Sequence, residues 1–112
     1  MGVEAKPPGA PVALETRANS IVLFLTPSET ENVLYIIEQR KVKEREWNVA
    51  STKYFITSTS TRVYKLKEKT RYAFRVVPVN RDVRGQPSKP SKVIMAKNPF
   101  SKINIFNHIL TL

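Results

Sequence analysis

The side chains best equipped for chemistry in this chain are its cations, and the chemistry open to them is the capture of anions. Lys and Arg number 19 against 9 Asp and Glu, a formal charge of +10. The imbalance is uneven: residues 1–66 carry 9 bases and 7 acids (+2), whereas residues 67–112 carry 10 bases and 2 acids, Glu68 and Asp82 (+8). Such a bias points to a polyanion, an acidic protein surface or an anionic membrane. Within it, Gln39-Arg40-Lys41-Val42-Lys43-Glu44 follows the order X-B-B-X-B-X, where B is basic, and so resembles a short consensus for heparin-binding segments. The competing reading is a charged hairpin turn that keeps a sheet edge soluble.

Other chemistry is poorly supplied. The one histidine, His108, falls near the C-terminus and reads as a solvated imidazole. Glu44 and Glu46 alternate with Lys43 and Arg45, which suits a self-compensating hairpin rather than a carboxylate pair for acid-base work. Cysteine does not occur, so neither disulfides nor thiolate metal sites are available. With three glycines and no calcium-loop spacing of acids, the sequence assigns no catalytic residue, no metal ligand and no cofactor. Nucleic acid is disfavoured as the polyanion, because no aromatics stand outside the expected core for base stacking and no helix is available for a groove. No Asn-x-Ser/Thr glycosylation sequon occurs.

The elements that position these cations must come from one domain, since 112 residues with 41% hydrophobic content suffice for a single packed core. No apolar run reaches the roughly 18 residues of a membrane span, and residues 1–11 lack the apolar stretch of a signal peptide. These features leave a cytosolic protein or a segment of something longer. Short runs rich in β-branched and aromatic residues predict strands over residues 12–16, 20–26, 33–40, 47–50, 61–66, 71–80 and 92–97, an all-β sandwich pattern. Alternation over 71–78 places Tyr72, Phe74, Val76 and Pro78 on a buried face and Arg71, Ala73, Arg75 and Val77 on the other. The third strand is apolar on both faces, and its polar end puts Glu38 and Arg40 outside.

Leu66-Lys67-Glu68-Lys69-Thr70-Arg71-Tyr72 places a Leu six residues and a Thr two residues before a Tyr that opens an aromatic-rich strand. This spacing resembles the tyrosine corner of the fibronectin type III fold. By that resemblance, the Tyr72 hydroxyl hydrogen-bonds backbone a few residues upstream, and Leu66 fills the core beneath it. Other segments agree with the same pattern. Pro7-Pro8-Gly9-Ala10-Pro11 is similar to the family's proline-rich start, Tyr35-Ile36-Ile37-Glu38-Gln39-Arg40 to its third strand and Trp47-Asn48-Val49 to its fourth. The run from Tyr72 to Asn80 is similar to the sixth strand, and Gly85-Gln86-Pro87-Ser88 to the turn into the seventh. The domain is expected over 7–98, with a linker over 1–6 and an apolar tail over 99–112. One departure is Leu25, which stands where the family usually has a core Trp; Phe24, Tyr54 or Phe55 is expected to fill that space. Residues 53–57 are expected to extend a strand or form a flap.

The resemblance implies a seven-stranded, immunoglobulin-like sandwich whose third, fourth, sixth and seventh strands share one sheet. Arg40, Arg71, Arg75 and Lys92 would then face solvent together beside Lys41, Lys43 and Arg45 of the hairpin, with Glu38 compensating in part. Cations on neighbouring strands, roughly 5 Å apart, suit a sulfated chain bound through counterion release. The implied function is a non-enzymatic interaction module of a cell-surface, adhesion or matrix protein, binding other proteins and, through the basic face, heparan sulfate or an acidic protein. The alternative is an intracellular spacer and docking domain, as in the arrays of muscle filament proteins. The loop from Arg81 to Gly85 lacks the Arg-Gly-Asp tripeptide that some type III domains carry. In the tail, Ile103, Phe106, Ile109 and Leu110 fit a helical stripe that could pack on the sandwich, lead into a further domain or pair two chains, and Asn98-Pro99-Phe100 matches a short endocytic tripeptide.

Overall fold

The structure, a computed structural model, describes residues 3–53, 56 and 59–99. Two antiparallel sheets pack face to face, and the described residues include no helix. In the smaller sheet β1 (Val12–Thr16) pairs with β2 (Ile21–Phe24), which pairs with β5 (Ser60–Val63). In the larger sheet β4 (Asn48–Val49), β3 (Leu34–Lys41), β6 (Arg71–Asn80) and β7 (Val83–Arg84) follow in that order, and β8 (Ile94–Met95) also pairs with β6. The longest ladder joins β3 to β6, from Leu34 opposite Val79 to Lys41 opposite Tyr72.

Period-2 alternation sorts the side chains. Ile21, Leu23 and Leu25 from one sheet meet Tyr35, Ile37, Tyr72, Phe74 and Val76 from the other, all buried in one cluster with Val63 and Leu66. The Tyr72 and Phe74 rings stack at 6.0 Å. Burying each large apolar side chain contributes roughly 1.5 to 3 kcal/mol, so this cluster supplies the stability that disulfides supply elsewhere.

Four features differ from the sequence expectations. Alternation along β2 turns Phe24 outward, opposite Val12, with 38% of its surface exposed. Phe24 therefore does not compensate for Leu25. The neighbour that does join the cluster is Ile56, whose carbonyl accepts from the Tyr35 backbone N–H at 3.1 Å. Tyr54 and Phe55 lie outside the described residues, as does most of the strand or flap expected over 53–57. On β6, Ala73 and Val77 are buried as well, so the outer face of that strand is covered on either side of Arg75.

The expected seventh strand is divided into β7 and β8. Pro87 and Pro90 have no N–H to donate, and the intervening residues pair with β6 in another way. Ser88 N–H donates to the Val76 carbonyl at 2.8 Å while Ser88 Oγ accepts from Val76 N–H at 2.9 Å. Ser91 repeats the arrangement on Phe74, at 2.7 and 3.0 Å. Two hydroxyls thus stand in for two backbone carbonyls of a regular ladder.

At the other end of β6 the segment expected as a linker, 1–6, touches the sandwich. Ala5 is buried in the core cluster, and the Val3 carbonyl accepts from Asn80 Nδ2 at 2.7 Å. Its approach requires glycine at 85, where a Cβ would stand 2.6 Å from the Ala5 carbonyl oxygen. Residues 100–112, with His108, the tail stripe, its proposed pairing of chains and the last residue of the Asn98-Pro99-Phe100 tripeptide, lie outside the described residues.

Candidate functional site

The cations singled out from the sequence fall into two groups, one engaged in holding the sheet and one open to solvent. Glu38 is directly opposite Arg75 in the β3–β6 register, and Arg75 Nε donates to Glu38 Oε1 at 2.7 Å. From β7, Arg84 reaches across β6 to the other carboxylate oxygen of Glu38. The Glu38 residue is 7% exposed beneath these two guanidinium groups. Burial alone raises its pKa, but the hydrogen bonds from Arg75 and Arg84, reinforced by their charges, leave it below the ordinary carboxylate value. Beside this cluster Trp47 carries the Arg75 guanidinium 4.4 Å and the Arg40 guanidinium 5.2 Å from its ring centroid, cation–π contacts that also shield the aliphatic stems. Arg40 further donates to the Glu44 carbonyl at 3.1 Å, closing the hairpin turn.

The expectation that Arg40, Arg71, Arg75 and Lys92 face solvent side by side is thereby corrected. Arg40 and Arg75 are drawn onto Trp47, and Arg75 is neutralised by Glu38, because cross-strand neighbours sit within reach of long side chains. Arg71 and Lys92 are exposed, but Lys92 lies beside Pro11 and Pro90, away from the others. Arg45 is exposed in the hairpin.

The remaining hairpin cations, Lys41 and Lys43, come together with Arg71 at the pole where β6 begins. There the turn after β3, the turn before β6 and Met95 of β8 enclose a cleft of about 580 Å³. Its rim holds five cations, Lys41, Lys43, Lys67, Lys69 and Arg71, and one carboxylate, Glu44. Glu44 lies 4.0 Å from Lys41 Nζ, and the other four cations form no ion pair among the described residues. Val42 and Met95 add apolar surface to the lining.

The sequence pattern does not single out Lys67 and Lys69, although both lie in the segment that resembles the corner. The corner is what presents them. Lys67 N–H donates to the buried Tyr72 hydroxyl at 2.8 Å, Leu66 is 3% exposed beneath, and Lys69 N–H donates to the Ala96 carbonyl at 2.6 Å. Lys69 holds a left-handed backbone, with φ of 60°, where glycine or asparagine is favoured. The legible signal was the basic run Lys65-Leu66-Lys67-Glu68-Lys69 just ahead of Tyr72.

The arrangement can attract anions and offers little else. Among the described residues no three His, Cys, Asp or Glu side chains gather in a metal-binding group. No helix among them is long and apolar enough to cross a membrane.

Comparison with known proteins places this geometry. The chain is 32% identical over 89 residues, 80% of its length, to the juxtamembrane domain-associated catenin of Caenorhabditis elegans, and 35% identical over 91 residues, 76% of its length, to receptor-type tyrosine-protein phosphatase F of Danio rerio. It spans only 7% and 4% of those relatives. Among solved structures, a titin module from human cardiac muscle superposes with a TM-score of 0.72 at 29% identity, covering 85% of this chain and 95% of that one. The fibronectin type III domain profile matches residues 6–94. With that match, the two-sheet topology and the hydrogen-bonded tyrosine before β6, the chain belongs to the fibronectin type III family, an all-β sandwich fold that serves as a non-catalytic module.

Proposed function

We propose that this domain is an interaction module of a larger protein and that the basic cleft at the Arg71 end of β6 engages a polyanion, either heparan sulfate or an acidic protein surface. The observation that carries this reading is the concentration of five cations against one carboxylate on a single concave surface. Like charges this close cost stability when unpaired, and an anionic ligand recovers that cost while releasing its counterions. A cell-surface or extracellular setting is part of the proposal, supported by the likeness to a receptor-type phosphatase. Arg40 and Arg75, included in the basic face on sequence grounds, serve instead to position the sheet.

Heparin-column retention across a salt gradient tests the proposal. Lys43→Glu with Lys67→Glu should elute at clearly lower salt than the wild type, whereas Lys89→Glu with Lys92→Glu, which changes net charge equally at exposed positions outside the cleft, should shift elution less. Elution of the two double variants at the same salt would sink the assignment. The second reading, a spacer and docking unit in an intracellular filament array, draws on the likeness to the cardiac muscle titin module. It expects retention that follows net charge alone, with no preference for the cleft.

A further inference from the structure

We infer that the cleft is shaped for an acidic peptide segment carrying an apolar side chain, rather than for a glycan; the inference rests on the polyanion reading above and names its ligand. Two observations favour a peptide, and a third bears on where it binds. The first is the apolar part of the lining: Val42, 41% exposed, and half-buried Met95 share the cleft with five cations. A sulfated sugar chain has no large apolar group to bury there, whereas a leucine or valine side chain between carboxylates would remove both surfaces from water. The second is shape. The cations come from two separate segments, residues 41–43 and 67–71, and converge with Met95 of β8 on one concavity of about 580 Å³. That volume accommodates a few residues, while an extended glycan is better served by a long open row of charges.

The third is the backbone at Lys69. A lysine in the left-handed region is held against a cost of roughly 1 kcal/mol, and strain of this kind persists only where the surroundings fix it. Here the Lys69–Ala96 hydrogen bond fixes it and directs the side chain to the cleft rim. Lys65 shares the left-handed conformation, with φ of 59°, but lines a different surface beside Tyr64 and Ser51. The chain's own residues 98–112 carry no Asp or Glu, so they lack the charge to complement the site.

Fluorescence polarisation at physiological salt, with three probes, tests the inference: a labelled decapeptide of glutamate and leucine, one of glutamate and serine with the same charge, and a heparin-derived octasaccharide. The leucine peptide should bind about tenfold more tightly than the serine peptide, and Val42→Ser should remove most of that advantage. Lys69→Asn should weaken both peptides several-fold without lowering the thermal midpoint, while Lys65→Asn leaves binding unchanged. Equal affinity for the two peptides with tighter binding of the octasaccharide would overturn the peptide assignment and leave the polyanion reading standing. Unchanged binding in Lys69→Asn would overturn the location. Failure of all three probes to bind would overturn both readings.

Discussion

Arg75 Nε donates to Glu38 Oε1 at 2.7 Å across the β3–β6 ladder, and this pair, with Arg84 on the second oxygen, converts an outward-facing carboxylate into a buried one. The pair takes Arg75 and Arg84 out of the set of unpaired cations.

The first prediction concerns pH. Glu38 has a lowered folded-state pKa, its burial outweighed by the hydrogen bonds from Arg75 and Arg84. Glu15 is also lowered, chiefly by its hydrogen bond from Arg62. A depressed carboxyl contributes stability that is fully present above the unfolded-state value, about 4.3, and is lost as pH falls through the lower folded value. The denaturant midpoint should therefore hold from neutral pH to about pH 5 and decline below it. In Glu38→Gln the acid decline should be shallower. An identical pH profile in that variant would show that Glu38 does not supply the effect.

The second uses the chain's single tryptophan as a reporter. Arg75→Met removes both the Glu38 hydrogen bond and the 4.4 Å contact with Trp47 and should cost roughly 1 to 3 kcal/mol. Arg84→Met, whose side chain is half-exposed, should cost about 0 to 1 kcal/mol. Native-state Trp47 emission should change in the first variant and stay near wild type in the second.

A third prediction addresses the corner. Tyr72→Phe keeps the ring in the core but leaves Lys67 N–H without its acceptor, so stability should fall by roughly 1 to 3 kcal/mol. Because the same N–H holds the cleft's rim, polyanion affinity should fall with it. An unchanged denaturation midpoint would remove Tyr72 from this role.

The fourth tests the two serines. Ser88→Ala and Ser91→Ala each leave a buried β6 amide, Val76 or Phe74, without an acceptor, at a cost of about 1 to 3 kcal/mol. Hydrogen exchange at those two amides should accelerate in the matching variant only. Acceleration spread evenly along β6 would mean that the serines act on the whole domain rather than as local substitutes for a strand.

Much of the frame was legible in the sequence because alternation is a local property. The bounds of β1 and β6 coincide with those read from residues 12–16 and 71–80, and Tyr72 could be recognised from its spacing to Leu66. The fate of the cations was less legible. Arg40, Arg71 and Arg75 look alike on a one-dimensional pattern, and only the register that sets Glu38 opposite Arg75, and the β4 turn that brings Trp47 alongside, separates the engaged from the free. Phe24 was misplaced for a related reason, since the apolar runs of β2 offer hydrophobic residues to both faces and pairing with Val12 settles which is outward. Lys67 and Lys69 belong to a turn, where neither helical nor strand period applies. Ser88 and Ser91 imitate a ladder that their flanking prolines interrupt, and that exchange of hydroxyl for carbonyl has no periodic signature.

The hydrogen bond from Lys69 to Ala96 also has a mechanical meaning. β8 runs antiparallel to β6, with Met95 opposite Arg71, so Ala96 lies at the same pole as the cleft, while residues 3–6 lie against the opposite pole beside Asn80. Tension applied to the chain just after Ala96 would load Ala96 and the two residue pairs of β8 before it reached the eight-pair ladder between β3 and β6. The first element to yield would be the anchor of Lys69, and the cleft lining would loosen while the core remained folded.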